Sequence, residues 1–164
     1  MREFAEWLFG TGASAAIHST PSFVRLLQAV HLLGAGVVAA SGVTIALRVL
    51  GWQRADEPFA AVSKRFTPWL AWGLVAMAAT GVAQTLGDPV RELTATSYWV
   101  KLALLAGCVI GTRSLVRAGR RPQAFSTAAK LTAAWLVFSW LAIVLLGRMI
   151  GYDAAIWGSL SLRT

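Results

Sequence analysis

Residues 23–49 read FVRLLQAVHLLGAGVVAASGVTIALRV, and this stretch decides the fold class. Its apolar run is interrupted only by Arg25, Gln28, His31, a few small polar residues and Arg48. A helix rises about 1.5 Å per residue and a bilayer core needs about 20 apolar residues to cross, so the run is long enough to span. Pro21 at the first turn, with Ser19 and Thr20 as caps, predicts the helix start. Three more stretches of the same kind follow. The spans are expected at 22–49, 66–86, 97–118 and 128–152, the second beginning at Thr67–Pro68 and ending at Gly87–Asp88–Pro89, the fourth following Pro122. The expected fold is all-α: an integral-membrane four-helix bundle, with the whole of 1–164 forming one membrane domain.

Composition agrees. Of the 164 residues, 57% are hydrophobic and 13% charged, against about 25% charged in a soluble domain. That apolar excess has to face lipid. Eight Trp against two Tyr suit a chain with interfacial rings. The net charge of +8 would point to nucleic acid in a soluble protein. In a membrane protein it points to cytoplasmic loops facing anionic lipid, so no nucleic-acid partner is expected.

Orientation follows from the basic residues. Arg48, Arg54, Lys64 and Arg65 lie in one loop region, and Arg113, Arg117, Arg120, Arg121 and Lys130 in another, together nine of the fifteen. Both loops are therefore expected in the cytoplasm, with both termini and the 87–96 loop in the periplasm of a bacterial inner membrane. At the N-terminus, Phe4, Trp7 and Leu8 share a helical face opposite Arg2, Glu3 and Glu6, which predicts a short interfacial helix over 2–9 and not a cleaved signal peptide. The tail 153–164, with Ile156, Trp157, Leu160 and Leu162, is expected to behave similarly. Small residues should mediate packing: Gly34, Ala35, Gly36, Ala39, Ala40, Ser41 and Gly42 in the first span, Gly107 and Gly111 in the third.

Ionisable groups within hydrocarbon are costly, so each is a site candidate. His31 lies nine residues into the first span, roughly 14 Å from its outer end. Gln28 precedes it by one turn and Gly34 follows by one turn. A helical His beside small residues suits a haem, whose flat ring needs close backbone approach; the competing reading is a structural hydrogen bond to another helix. Lys101, near the outer end of the third span, is either a second functional group or a side chain snorkelling to headgroups. Arg148, in Gly147–Arg148–Met149–Ile150–Gly151–Tyr152, can hold a propionate, a quinone carbonyl or a lipid phosphate, or anchor the helix at the interface. Arg25 also faces outward. The four together predict one pocket opening to the periplasm. His18 lies roughly 20 Å from His31 on a continuous helix and reads as a solvated loop residue. Cys108 is the only cysteine, so no intrachain disulfide or Cys-based metal site is expected. Met1, Met77 and Met149 form no cluster of soft copper ligands, and no carboxylate lies inside a span.

The runs Leu26–Leu27–Gln28–Ala29–Val30–His31–Leu32–Leu33–Gly34, Arg65–Phe66–Thr67–Pro68–Trp69, Thr80–Gly81, Trp99–Val100–Lys101–Leu102–Ala103–Leu104–Leu105 and Gly147–Arg148–Met149–Ile150–Gly151–Tyr152 resemble, in order, an uncharacterised family of small bacterial four-helix membrane proteins. More distantly, His31 and the Lys101–Leu102 run resemble the membrane domain of the copper-resistance protein D family and the membrane-embedded protoporphyrinogen oxidase family. The second likeness implies a haem protein with a functional His and Lys, carried here by His31 and Lys101. The expected function is a haem-binding or redox-linked inner-membrane subunit, with haem b and quinone as its cofactors. It would pass electrons between a periplasmic partner and the quinone pool. His31 would be the metal ligand, Lys101 a second ligand or propionate partner, and Arg148, Arg25 and Gln28 the contacts to propionate or quinone. The alternatives are a cofactor-free accessory subunit of a larger membrane or periplasmic complex, and a copper-handling protein. Whether the chain is an enzyme is left open by the sequence.

Overall fold

The computed structural model describes residues 1–120 and 124–162. Arg121 and Pro122, which the sequence places in the second basic loop, and the last two residues of the tail lie outside the described residues.

Four long helices dominate: α3 (Pro21–Leu50), α4 (Phe59–Gly87), α6 (Thr96–Ala118) and α7 (Thr127–Met149). All four are long and apolar enough to cross a membrane. Short helices gather at the end where the chain starts: α1 (Arg2–Phe9), α2 (Gly12–His18), α5 (Pro89–Leu93) and, after a 3-10 turn at Ile150–Tyr152, α8 (Asp153–Trp157).

The starts and stops follow local chemistry. Pro21 sits in the first turn of α3, where its missing N–H is no loss. Thr20 occupies the cap position, but its hydroxyl makes no capping bond, so proline alone opens the helix. Gly51 closes α3 at φ 75°, a left-handed conformation that glycine adopts without a Cβ penalty. The Ser126 hydroxyl caps α7 by accepting from the Ala129 N–H at 3.2 Å.

One boundary differs clearly from expectation. α4 begins at Phe59, after Pro58, and Pro68 lies inside it instead of at its start. Phe59, Val62, Ser63 and Leu70 recur on one buried face, so the amphipathic periodicity carries the helix through the proline. His18 also departs from the expected loop: it ends helix α2, exposed, stacked on Phe9 with ring centroids 4.8 Å apart.

The exposure pattern is that of a protein turned toward lipid. Leu33, Trp72 and Phe138 are 72%, 73% and 72% exposed, and large apolar side chains stand out along all four long helices. A water-soluble monomer rarely exposes so much contiguous apolar surface. The polar exceptions sit inside, with Ser41, Ser63, Thr80, Thr112 and Ser139 buried between helices.

Packing is by small residues receiving large ones. α3 lies against both α4 and α7, and α6 packs on α7, whereas α4 and α6 make almost no direct backbone contact. The bundle is thus open along the α4–α6 seam. Gly34 of α3 faces Met77, and a Cβ there would lie 3.2 Å from Met77 Cγ. Gly42 abuts the indole of the buried Trp140. On α6, Gly107 faces Trp135 and Gly111 faces Leu136. Gly36, by contrast, is exposed and has no neighbour where its Cβ would be.

A second structure secures the end of the bundle that holds α5 and α8. The first residues of α6 have no cap of their own, because Ala95 precedes them. The carboxylate of Asp153 supplies it from α8. It accepts from the Thr96 N–H at 3.0 Å, the Ser97 N–H at 2.8 Å, and the Ser97 and Ser161 hydroxyls at 2.7 Å each. Asp153 is fully buried, and every one of these four contacts is a donor, so the ionised carboxylate is the form that fits. Its negative charge also meets the positive end of the α6 dipole.

Candidate functional site

His31 projects from α3 into the interface with α4. Its Nδ1 lies 2.9 Å from Thr80 Oγ1. Thr80 is buried, and its hydroxyl sits 2.7 Å from the Ala76 carbonyl one turn earlier, to which it donates. With its one proton committed, Thr80 can only accept from His31. If Thr80 donates to Ala76, Nδ1 is the ring nitrogen that donates to Thr80, and Nε2 is the one left with a lone pair. On the same face, a Cβ at Gly81 would meet His31 Cε1 at 3.4 Å, so the glycine sets how closely the ring lies against α4.

Further polar groups extend from this pair along α4. Gln84 donates from Nε2 to the Thr80 carbonyl at 3.3 Å, and the Thr85 hydroxyl donates to the Gly81 carbonyl at 2.9 Å. Thr85 Oγ1 also lies 3.3 Å from Tyr98 OH, a side-chain bridge across the open seam to α6. One turn further along α6, the Lys101 ammonium sits over the Tyr98 ring, 5.2 Å from its centroid. Its stem passes Gly147 of α7. Lys101 is close enough to both His31 and Glu92 of α5 for its charge to be felt at each.

Above His31, toward the short helices, lies a cavity of about 540 Å³. Gln28, one turn before His31, and Gln84, one turn after Thr80, are in its wall, as are Arg25 and His18. Its apolar side comes from Phe9, Ile17, Val24 and Leu27.

The five sequence-predicted site residues thus fall into three places. His31 and Lys101 come within electrostatic reach of each other at the mouth of the α4–α6 seam. Gln28 and Arg25, both exposed residues, line the cavity one and nearly two turns further out. Arg148 is exposed in the last turn of α7 and makes no hydrogen bond or ion pair among the described residues. Sequence reasoning did not find Thr80, Gln84, Tyr98 or Glu92 as partners; each becomes visible only once α4, α5 and α6 are set beside α3.

Among the described residues, no three His, Cys, Asp or Glu side chains converge on one point. A bare zinc or copper ion takes three or four protein donors. A single imidazole suits a metal that arrives with most of its ligands already attached. Cys108 is buried against α7 and free.

No family model, curated protein or solved structure matches this chain.

Proposed function

We propose that the chain is a haem-binding, redox-linked subunit of a bacterial inner membrane, passing electrons between a periplasmic partner and the quinone pool. The observation that carries this reading is the His31–Thr80 bond. Metal-ligating histidines donate their second ring N–H to a fixed acceptor, which sets the tautomer and the ring plane. Thr80 does this for Nδ1, leaving Nε2 as the ligand atom. Haem b, when bound, supplies a one-electron iron couple and four of the iron's six ligands.

The chain's own groups have distinct tasks. His31 ligates through Nε2, and Thr80 holds the ring. Lys101, its ammonium over the Tyr98 ring, suits a charged partner for a propionate better than a neutral second ligand. Gln28, one turn before His31, and Arg25, nearly two turns before it, are placed in the outer cavity to hydrogen-bond a quinone oxygen. Arg148, near the membrane edge, serves an anionic group there or anchors α7.

The test is the reduced-minus-oxidised spectrum of the purified protein. A Soret band that vanishes in His31→Ala and persists in His18→Ala is the expected result. Thr80→Val should keep the band but weaken haem retention by about 10–100-fold, as loss of such an orienting partner does. The same bond also favours a second reading, because it satisfies both partners and fastens α3 to α4 without any cofactor. If the protein shows no Soret band and takes up no added haem, the chain is a cofactor-free accessory subunit, and His31→Ala should lower only its thermal stability.

Orientation is part of the proposal. Reporter fusions at Glu57 should read cytoplasmic and a fusion at Arg91 periplasmic, with both termini outside. The opposite pattern would place the His31 end of the bundle in the cytoplasm and remove the periplasmic partner.

A further inference from the structure

At the end of the bundle away from His31 is a second cavity, of about 550 Å³. It lies where the end of α3, the start of α4, the end of α6 and the start of α7 meet. Three cationic side chains line it: Arg48, Arg120 and Lys130. No carboxylate is among the described residues of its wall. The nearby Glu57 is already engaged, its two oxygens lying 2.6 Å from Arg54 and 3.1 Å from Arg65. Arg48 is held in place by its own Nε, which donates to the Glu57 carbonyl at 2.8 Å and leaves the outer two guanidinium nitrogens for another acceptor.

The remainder of the wall is apolar. Phe59 and Phe125 meet edge to face, with centroids 4.9 Å apart. Gly119 lets Phe59 lie directly against the end of α6, since a Cβ there would overlap the phenyl ring. Among the described residues, the cavity therefore combines three cations and an aromatic floor with no neutralising acid, at one end of the four long helices.

We propose that this cavity binds the phosphate headgroup of an anionic phospholipid from the surrounding leaflet. Arg48 and Arg120 offer planar, bidentate donors for phosphate oxygens, and Lys130 adds a point charge. The phenyl rings take the glycerol and the first acyl carbons. Three cations suit a lipid with one or two negative phosphates and give a zwitterionic headgroup no carboxylate for its ammonium. The inference depends on the chain spanning a membrane and not on His31 carrying iron.

The experiment is native mass spectrometry of the delipidated whole chain in detergent. It is titrated separately with phosphatidylglycerol, with phosphatidylcholine and with inorganic phosphate. Phosphatidylglycerol should bind at least about ten-fold more tightly than phosphatidylcholine, and millimolar phosphate should not displace it. Arg120→Gln and Lys130→Gln, both at exposed positions, should each weaken binding by about five-fold. Lys64→Gln, an exposed cation of the same basic loops that does not line the cavity, should leave it unchanged. An equal loss in Lys64→Gln would make the effect one of general surface charge and overturn the proposal. Displacement by inorganic phosphate, or no preference over phosphatidylcholine, would overturn it as well.

Discussion

Asp153→Ala is expected to loosen the end of the bundle that carries α8 and the tail, and to lower the thermal stability of the detergent-solubilised protein by several degrees or more. The carboxylate is the shared acceptor for Thr96 N–H, Ser97 N–H and two serine hydroxyls. The hydroxyls can rotate toward other acceptors. The two N–H groups cannot, because they point along the axis of α6 with no carbonyl ahead of them. Stranding the buried Ser97 N–H costs about 1–3 kcal/mol, and the part-buried Thr96 N–H adds a smaller amount because water can reach it. Trp157 reports the event directly. Its indole N–H donates to Ser97 Oγ at 2.8 Å, so a freed tail should expose the ring to quencher. Asp153→Asn separates charge from shape. It retains one acceptor oxygen but turns an NH2 toward donors, so its stability should fall between wild type and Asp153→Ala. Wild-type melting in both variants would mean that Thr96 and Ser97 find other acceptors.

What the sequence made legible follows from which costs are local. A run of apolar residues long enough to cross a bilayer announces itself, and the four long helices lie where the hydropathy put them. Pro68 was harder. A proline next to a threonine reads as a helix start, yet here the helix begins at Phe59, capped by Pro58, and passes through Pro68, because the buried face formed by Phe59, Val62 and Leu70 outweighs one missing backbone bond. His31 was visible because an imidazole in an apolar span demands a partner. The partner was not visible. Thr80 lies 49 residues away, and a threonine in a span is unremarked in itself, since it can satisfy its hydroxyl on its own helix as Thr80 does with Ala76. The pairing depends on the register of α3 against α4, which Gly34, Gly73 and Met77 set through their packing. Asp153 illustrates the same limit. In the sequence it was one more negative charge outside the spans; its role exists only because α8 folds back over the start of α6. The open α4–α6 seam has no sequence signature of its own, because which residues flank it depends on how α4 and α6 are set against α3 and α7.

Gly42→Leu is expected to be the most damaging single substitution in the spans, abolishing most of the folded yield. Gly42 sits where α3 crosses α7, and the indole of Trp140 occupies the space a side chain would need: a Cβ would lie 2.7 Å from Trp140 Cε2 and closer still to Nε1. Trp140 is 1% exposed, with Leu136 and Ile143 buried one turn to either side, so the ring has nowhere to move. Overpacking a rigid core costs about 1–3 kcal/mol for small additions and more when helices must separate. Gly42→Ala should already lower the melting temperature, and Gly42→Leu should yield aggregated protein on gel filtration. The control lies on the same helix. Gly36→Leu adds its side chain where nothing lies within 4 Å, on a lipid-facing surface, and should be neutral. A second variant makes the cause specific. Among the described residues Trp140 Nε1 has no hydrogen-bond partner, so Trp140→Phe forfeits no bond while removing the atoms that the new Cβ strikes. Combining Gly42→Ala with Trp140→Phe should therefore recover at least half of the stability lost in Gly42→Ala alone. If the pair is instead additive, with each change costing the same in the presence of the other, the two residues do not share a contact. The α3–α7 crossing would then be held by something other than the fit of an indole into a glycine notch.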